Sequence, residues 1–240
     1  YVLSGNVPKS LSFLEQLKTN GHEIGYMADI FDGFKDQAAD VQSKRLTAMQ
    51  QEMERSGLST GADRGFHAPM ESQDKTTFEL INQLGFTHAI AFSDATDGRL
   101  PITLARLSGT GTSSQSPLVI LPRTQRGPED LVNEGNPEEG LKQYLSEFES
   151  SVAMGSRALI RFPNQSLLTD EQLKAVFGQI KQSTERSWFA ANGAVARWWL
   201  DRARVSSEVD AVDDKPRLSV VIAAGEPLPH AVALANIAAG

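Results

Sequence analysis

The sequence predicts an α/β fold built on a parallel sheet, and three observations predict it. Tyr1-Val2-Leu3-Ser4-Gly5 is an extended run, and the segment after it places Leu11, Leu14 and Leu17 on one helical face. The stretch Gly21-His22-Glu23-Ile24-Gly25-Tyr26-Met27-Ala28-Asp29-Ile30-Phe31 then reads as a second strand, which completes a βαβ unit. The same order returns later, where a helix from Thr76 ends in Leu84-Gly85-Phe86 and leads into a strand from His88 to Phe92.

Composition narrows the function. A chain of 240 residues holds one α/β domain with a sizeable core, or one domain with a small appendage. Lys+Arg 23 against Asp+Glu 30 gives a net charge of −7, and no basic run breaks that balance, so nucleic acid is not an expected partner. With Cys 0 there is no disulfide, no thiolate-bound zinc and no cysteine nucleophile. No apolar stretch approaches the ~20 residues that cross a bilayer. No internal repeat of roughly 20–50 residues recurs.

The remaining elements follow in order. Gly33 to Asp36 is a turn, and Gln37 to Arg55 is a helix carrying Leu46, Met49 and Met53 toward the core. Ser56-Gly57 stops it, glycine being suited to the left-handed cap. Ser93 to Gly98 is a polar turn, and Ser108 to Ser116 is a Gly-rich connector without the Gly-Lys-Ser/Thr ending of a phosphate cradle. Pro117 to Arg123 reads as a buried strand, Pro137 to Met154 as a helix with Leu141, Leu145, Phe148 and Val152 in one stripe, and Ala158 to Pro163 as the next strand. Thr169 or Asp170 caps a helix running to about Gln182. Trp188 to Ala191 reads as a short buried strand, and Asn192 to Arg204 as a helix whose Trp198 and Trp199 are expected in the core. After Val205 the pattern changes to short strands at 206–212, 217–223 and 231–236, so residues 1–204 are expected to form the main domain and 205–240 a β appendage.

The word Gly21-His22-Glu23-Ile24-Gly25, the run LSGNVPKSLSFLEQLKTN before it and Ile81-Asn82-Gln83-Leu84-Gly85-Phe86 resemble the polysaccharide deacetylase family (NodB homology domain, carbohydrate esterase family 4). The run SWFAANGAVARWWLDRARV resembles the barrel-closing segment of a subgroup of these proteins. The resemblance implies a TIM-like (β/α) barrel and a metal-dependent hydrolase. It also implies where the chemistry would stand. The two metal histidines of the family fall on Met27 and Phe31, and the Ser/Thr between them on Ala28. The Phe-Arg-x-Pro-x-Gly motif falls on Phe66-His67-Ala68-Pro69-Met70-Glu71, which keeps Pro69 but has His67 for Arg and Glu71 for Gly. Asp94, with Asp97, fits loosely the family's groove-floor Asp. The general-acid His falls at Pro122 or Arg123, and Phe162 stands where related chains can carry another His. The strand that would bear the family's Asp-Asp pair is absent from this chain, so the barrel is expected to be incomplete or distorted, or completed by a partner segment.

Phenylalanine has no lone pair, and a thioether is a poor zinc ligand. The expectation is therefore a degenerate deacetylase-like domain, a pseudoenzyme without a cofactor. It would bind a polysaccharide or peptidoglycan-type glycan, or serve as a structural module, in carbohydrate metabolism at an extracytoplasmic site: secreted, periplasmic or in the cell envelope. The alternative is an active metal-dependent polysaccharide de-N/O-acetylase. It would have its catalytic Asp residues supplied upstream, or Asp29, Asp32, His67 and Glu71 gathered around Zn²⁺ or another divalent metal. His22 is read as scaffold.

Overall fold

The computed structural model describes residues 1–58, 64–92, 100–104, 117–123, 126–128, 130, 136–159, 161, 168–183, 185, 187–212, 215–223, 225 and 228. Strands β1 (Val2–Leu3), β2 (Tyr26–Ala28), β3 (Gly65–His67), β4 (His88–Phe92), β5 (Ile102–Leu104) and β6 (Leu118–Arg123) form a six-stranded sheet in the order β1-β2-β3-β4-β6-β5. Neighbours from β1 through β6 are parallel, and β5 is antiparallel to β6. The α/β architecture and its parallel sheet are as the sequence implies. Among the described residues the sheet stays open, consistent with the incomplete or distorted barrel expected.

Helices α1 (Val7–Thr19), α2 (Ala39–Arg55) and α3 (Lys75–Gln83) cover one face of this sheet. Val7 and Leu14 of α1, Leu46, Met49 and Met53 of α2 and Ile81 of α3 join Tyr26, Ala28, Phe66 and Ala89 in the largest apolar cluster. The 3- and 4-residue spacing in α2 is what brings its leucine and methionines to one side. The opposite face, at Val119 and Leu121, is covered by Val195, Ala196, Trp199 and Leu200 of a later helix, α6 (Asn192–Arg202). Between them, α4 (Pro137–Ala153) and α5 (Asp170–Gln182) pack on each other through Tyr144, Leu168 and Val176.

Local chemistry sets the helix ends. Gly21, at φ 85°, closes α1, and the His22 N–H reaches back to the Leu17 carbonyl while the Gly21 N–H reaches Lys18. That is the Schellman arrangement, and it aims the chain into β2. Thr169 caps α5 in a capping box with Gln172. Asp74 does the same for α3 with Thr77, and it also accepts from the Asp36 N–H and from Gln42. These bonds hold the carboxyl of Asp74 below its usual range, although burial works the other way. Because one side chain serves the cap and the loop before α2, Asp74→Ala is expected to cost about 2 kcal/mol, the upper end for a lost cap, as read from urea denaturation midpoints.

Three expectations need correction. Trp188 to Ala191 is not a strand. Trp188 and Phe189 are exposed, and Trp188 lies against Trp198 with ring centroids 6.0 Å apart. Trp198 itself is half exposed, with the Arg202 guanidinium over its ring, so Trp199 alone of the pair enters the core. The face of α6 that meets the sheet carries Val195, Ala196, Trp199 and Leu200, and at about 100° per residue Trp198 falls to the side of that stripe. Ala158, Leu159 and Arg161 carry no strand pairing.

The chain continues into a separate antiparallel hairpin, β7 (Val205–Val212) and β8 (Lys215–Ile222). Val209 stands opposite Leu218 and Asp210 opposite Arg217, which gives one apolar and one polar face. The strand expected at 231–236 lies outside the described residues.

Candidate functional site

Register decides which side chains share a face. Gly65, His88 and Val119 align across β3, β4 and β6; His67, Ile90 and Leu121 align next; Arg123 follows at the end of β6. Tyr26 pairs with Phe66. Met27 therefore lies on the same side as His67 and Arg123, the side away from α1, α2 and α3.

At the N-terminal end of the sheet, Glu23 is a strut. Its Oε1 lies 2.9 Å from Nε2 of the fully buried His88, and its Oε2 accepts from the Gly193 N–H at 2.7 Å, in the first turn of α6. Burial would raise its pKa, but the bonds from His88 and Gly193, with Arg197 nearby, hold it below the usual carboxylate value. A carboxylate at a helix N-terminus also meets the positive end of the helix dipole. The other imidazole nitrogen of His88 is 3.1 Å from the Thr87 hydroxyl. A side chain at Gly65 would occupy the space of the His88 ring, and one at Gly25 the space of the Tyr1 ring. Both glycines are there for close approach. Tyr1 places its hydroxyl 3.4 Å from His88 Nε2, accepts from Asn192 at 3.3 Å, and sets its ring edge-on to His67. Burial raises its phenol pKa well above the ordinary value, and Glu23 adds to that. A cavity of about 290 Å³ opens here between Lys18, His22, Glu23, Leu58 and Arg197. His22 is exposed, and its role in the turn is carried by its backbone.

The other end, where the parallel strands finish, is the mouth at which folds of this type place ligands. Two arginines dominate it. Arg45 of α2 donates from Nε to Asp29 Oδ1 at 2.9 Å, from Nη1 to the Gly33 carbonyl at 2.8 Å and from Nη2 to the Asp32 carbonyl at 3.0 Å. Its guanidinium lies 4.4 Å from the centre of the Phe34 ring, and Nη1 is 3.7 Å from the Asp32 carboxylate. The second arginine, Arg123, grips Glu71 bidentately at 2.5 and 2.6 Å. His67 Nε2 stands 3.4 Å from the same carboxylate. Burial alone would raise the Glu71 pKa, but Arg123 and His67 bring it down to about 2, so the group is anionic at neutral pH.

Glu71 is held at a cost. Met70 and Glu71 have φ 54° and 55°, two consecutive non-glycine residues in the left-handed region. Such a conformation costs roughly 1–2 kcal/mol per residue. Glu71 occupies the place where the motif that this stretch resembles has glycine, the residue that takes such a φ without strain. Met70 projects into solvent, as do Ile30 and Phe31 after β2.

The structure thus brings His67 and Glu71 together and joins Asp29 and Asp32 to Arg45 instead. Pro69 opens the tight turn Pro69–Glu71, and Met27 is half buried in β2. Phe31 is 63% exposed. Asp94 lies outside the described residues, as do Asp97 and Phe162. Among the described residues no group of three or more His, Asp or Glu side chains is placed to hold a metal ion. The donor chemistry does not fit a zinc centre: Phe31 has nothing to donate, Met27 offers a soft thioether, and the carboxylates of Asp29 and Glu71 are engaged by guanidinium groups. Sequence reasoning missed both arginine clamps, because their partners lie 16 and 52 residues away.

No protein-family model matches the sequence, and neither does any curated protein. Solved structures do. A protein from Mycobacterium smegmatis assigned as a polysaccharide deacetylase superposes with a TM-score of 0.64 at 16% identity, covering 85% of this chain and 71% of that one. Another so assigned, from Pseudomonas aeruginosa PAO1, gives 0.64 at 15% identity, and PuuE allantoinase 0.64 at 14%; each covers 82% of this chain and 65% of the other. No helix among the described residues is long and apolar enough to cross a membrane. At this level of identity the likeness concerns architecture: the chain has the NodB-like fold of the polysaccharide deacetylases and of allantoinase, with a sheet that stays open among the described residues.

Proposed function

We propose that this chain is a polysaccharide deacetylase-like domain that has lost metal-dependent hydrolysis and holds a glycan at the mouth of its sheet, in extracytoplasmic carbohydrate processing. One observation carries the reading. The carboxylates at the mouth, Asp29 and Glu71, are tied to Arg45 and Arg123, and the positions matching the metal histidines are Met27 and Phe31. A carboxylate that accepts two charge-assisted bonds is a weak base and a poor metal ligand. Ile30, Phe31 and Met70 supply an exposed apolar rim of the kind on which sugar faces rest. A polysaccharide ligand is further supported by the assignments of the two bacterial neighbours.

Purified protein, dialysed and then given zinc or cobalt with N-acetylchitooligosaccharides, is expected to release no acetate above the metal-only control and to retain no stoichiometric ion. It is also expected to be retarded by a glycan in affinity electrophoresis. The competing reading, an active enzyme with a rearranged site, is favoured by the closeness of His67 to Glu71. Stoichiometric metal together with acetate release would select it and end the first.

A further inference from the structure

We propose that the cavity at the floor of the sheet is a binding site for a small organic monoanion, a carboxylate carried on an apolar body. The site is separate from the mouth and does not depend on the glycan reading.

Three segments build it. The end of α1 and the turn after it bring Lys18, His22 and Glu23, the stop after α2 brings Leu58, and the first turns of α6 bring Ala194 and Arg197. The space of about 290 Å³ lies at the small end of the range for ligand pockets, roughly 300–1,000 Å³. At roughly 30 Å³ for each water-sized group it has room for about ten heavy atoms, which suits a small molecule and not a chain of sugars. The lining is divided in the way ligand pockets are: Ile24, Leu58 and Ala194 form an apolar wall, and Lys18, His22 and Arg197 supply polar hydrogens.

Charge decides the class. Among the described residues of the lining Glu23 alone is acidic, and both of its oxygens are engaged, by His88 and by the Gly193 N–H. Two cations, Lys18 and Arg197, against that one carboxylate leave a surplus of one positive charge when His22 is neutral. A carboxylate ligand carries one charge and matches the surplus, whereas a phosphate monoester carries about −1.5 to −2 and exceeds it. Lys18 is the anchor. Its ammonium donates to the Gly57 and Leu58 carbonyls at 3.0 and 3.4 Å and, among the described residues, meets no carboxylate. Two neutral acceptors leave the third ammonium hydrogen for a ligand oxygen, on a side chain already held in place. The exposed His22 ring makes no bond among the described residues and faces the same space. Capping the end of α2 accounts for the carbonyl bonds of Lys18, but not for an apolar-walled cavity with further donors around it.

The test is an amide NMR titration of the full chain with three probes of one body and different heads: benzoate, neutral benzamide and phenyl phosphate. Benzoate is expected to shift the amides of 21–24, 58 and 192–194 with a Kd on the order of 1 mM, as suits so small a ligand. Benzamide is expected to bind at least about tenfold more weakly, since it offers no charge to the ammonium. Phenyl phosphate is expected to bind no more tightly than benzoate. Lys18→Met is expected to weaken benzoate about tenfold and to leave benzamide unchanged, a contrast that loss of a helix cap does not produce. His22→Glu puts a second carboxylate on the exposed edge of the cavity without touching either helix end. It is expected to weaken benzoate by a similar factor, and it carries the test if Lys18→Met does not fold. No shift of these amides by benzoate overturns the site. Equal binding of benzamide, or benzoate affinity unchanged in both variants, overturns the anion reading, and tighter binding of phenyl phosphate overturns the match to a single charge.

Discussion

Glu23→Ala is expected to lower the unfolding free energy by about 3–5 kcal/mol, since it leaves two buried donors without their acceptor at roughly 1–3 kcal/mol each. The substitution strands two groups at once. His88 is fully buried and loses the carboxylate 2.9 Å from its Nε2, and α6 loses the acceptor for its Gly193 N–H. Urea denaturation should show a lower midpoint with an unchanged slope, since the surface exposed on unfolding stays the same. A loss under 1 kcal/mol would mean that the strut contributes little. The sign of the pH effect follows from the direction of the shift. The folded-state pKa of Glu23 is depressed, so its stabilisation is present above the unfolded-state pKa and is lost as pH falls through the folded value.

Arg123→Met is the second large loss, again about 3–5 kcal/mol, because Glu71 remains as a mostly buried carboxylate on a strained backbone, left with the longer His67 contact in place of the guanidinium fork. Pairing it with Glu71→Gly should recover most of that loss. The double variant has no stranded charge and has glycine at the left-handed position. A double-mutant cycle reads this coupling directly, and simple additivity would contradict it. Acid offers an independent check. The Glu71 pKa lies at about 2 in the folded chain against an ordinary 4.5, so its contribution is complete above about pH 4.5 and disappears as pH falls through about 2. The stability gap between wild type and Glu71→Gln should therefore narrow across that window and be constant above it.

Much of the frame was readable from local patterns. The leucine spacing of α1, the methionines of α2, the Leu84-Gly85-Phe86 exit into β4 and the capping residue Thr169 each state their structure within one or two turns of chain. The short antiparallel β5 was not readable, because three residues with Ile102 and Leu104 exposed or half buried carry no period. Nor were the arginine clamps. Arg123 reads as the end of an apolar strand, and only the parallel register of β4 and β6 brings it to Glu71. That Met27 and Phe31 stand where the resembled motif has histidine was legible in the sequence. What now fills the mouth was not, because ion pairs between distant segments leave no mark on periodicity. The tryptophan pair misled for a related reason: hydrophobicity proposes burial, but the core-facing stripe of α6 is set by which face meets β6, and Trp198 lies off it.

The Gly21–Gly25 word sits at the opposite end of the strands from the mouth. Glu23 there fastens β2 to β4 and α6, and Gly25 and Gly65 leave room for Tyr1 and His88 to do so. A frame bolted at its floor leaves its ceiling free for renovation. The word's task at the floor is thus independent of whatever chemistry stands above it. The same division makes the chain a workable chassis: imidazoles introduced at positions 27 and 31 would be installed away from the joints that keep the strands in line.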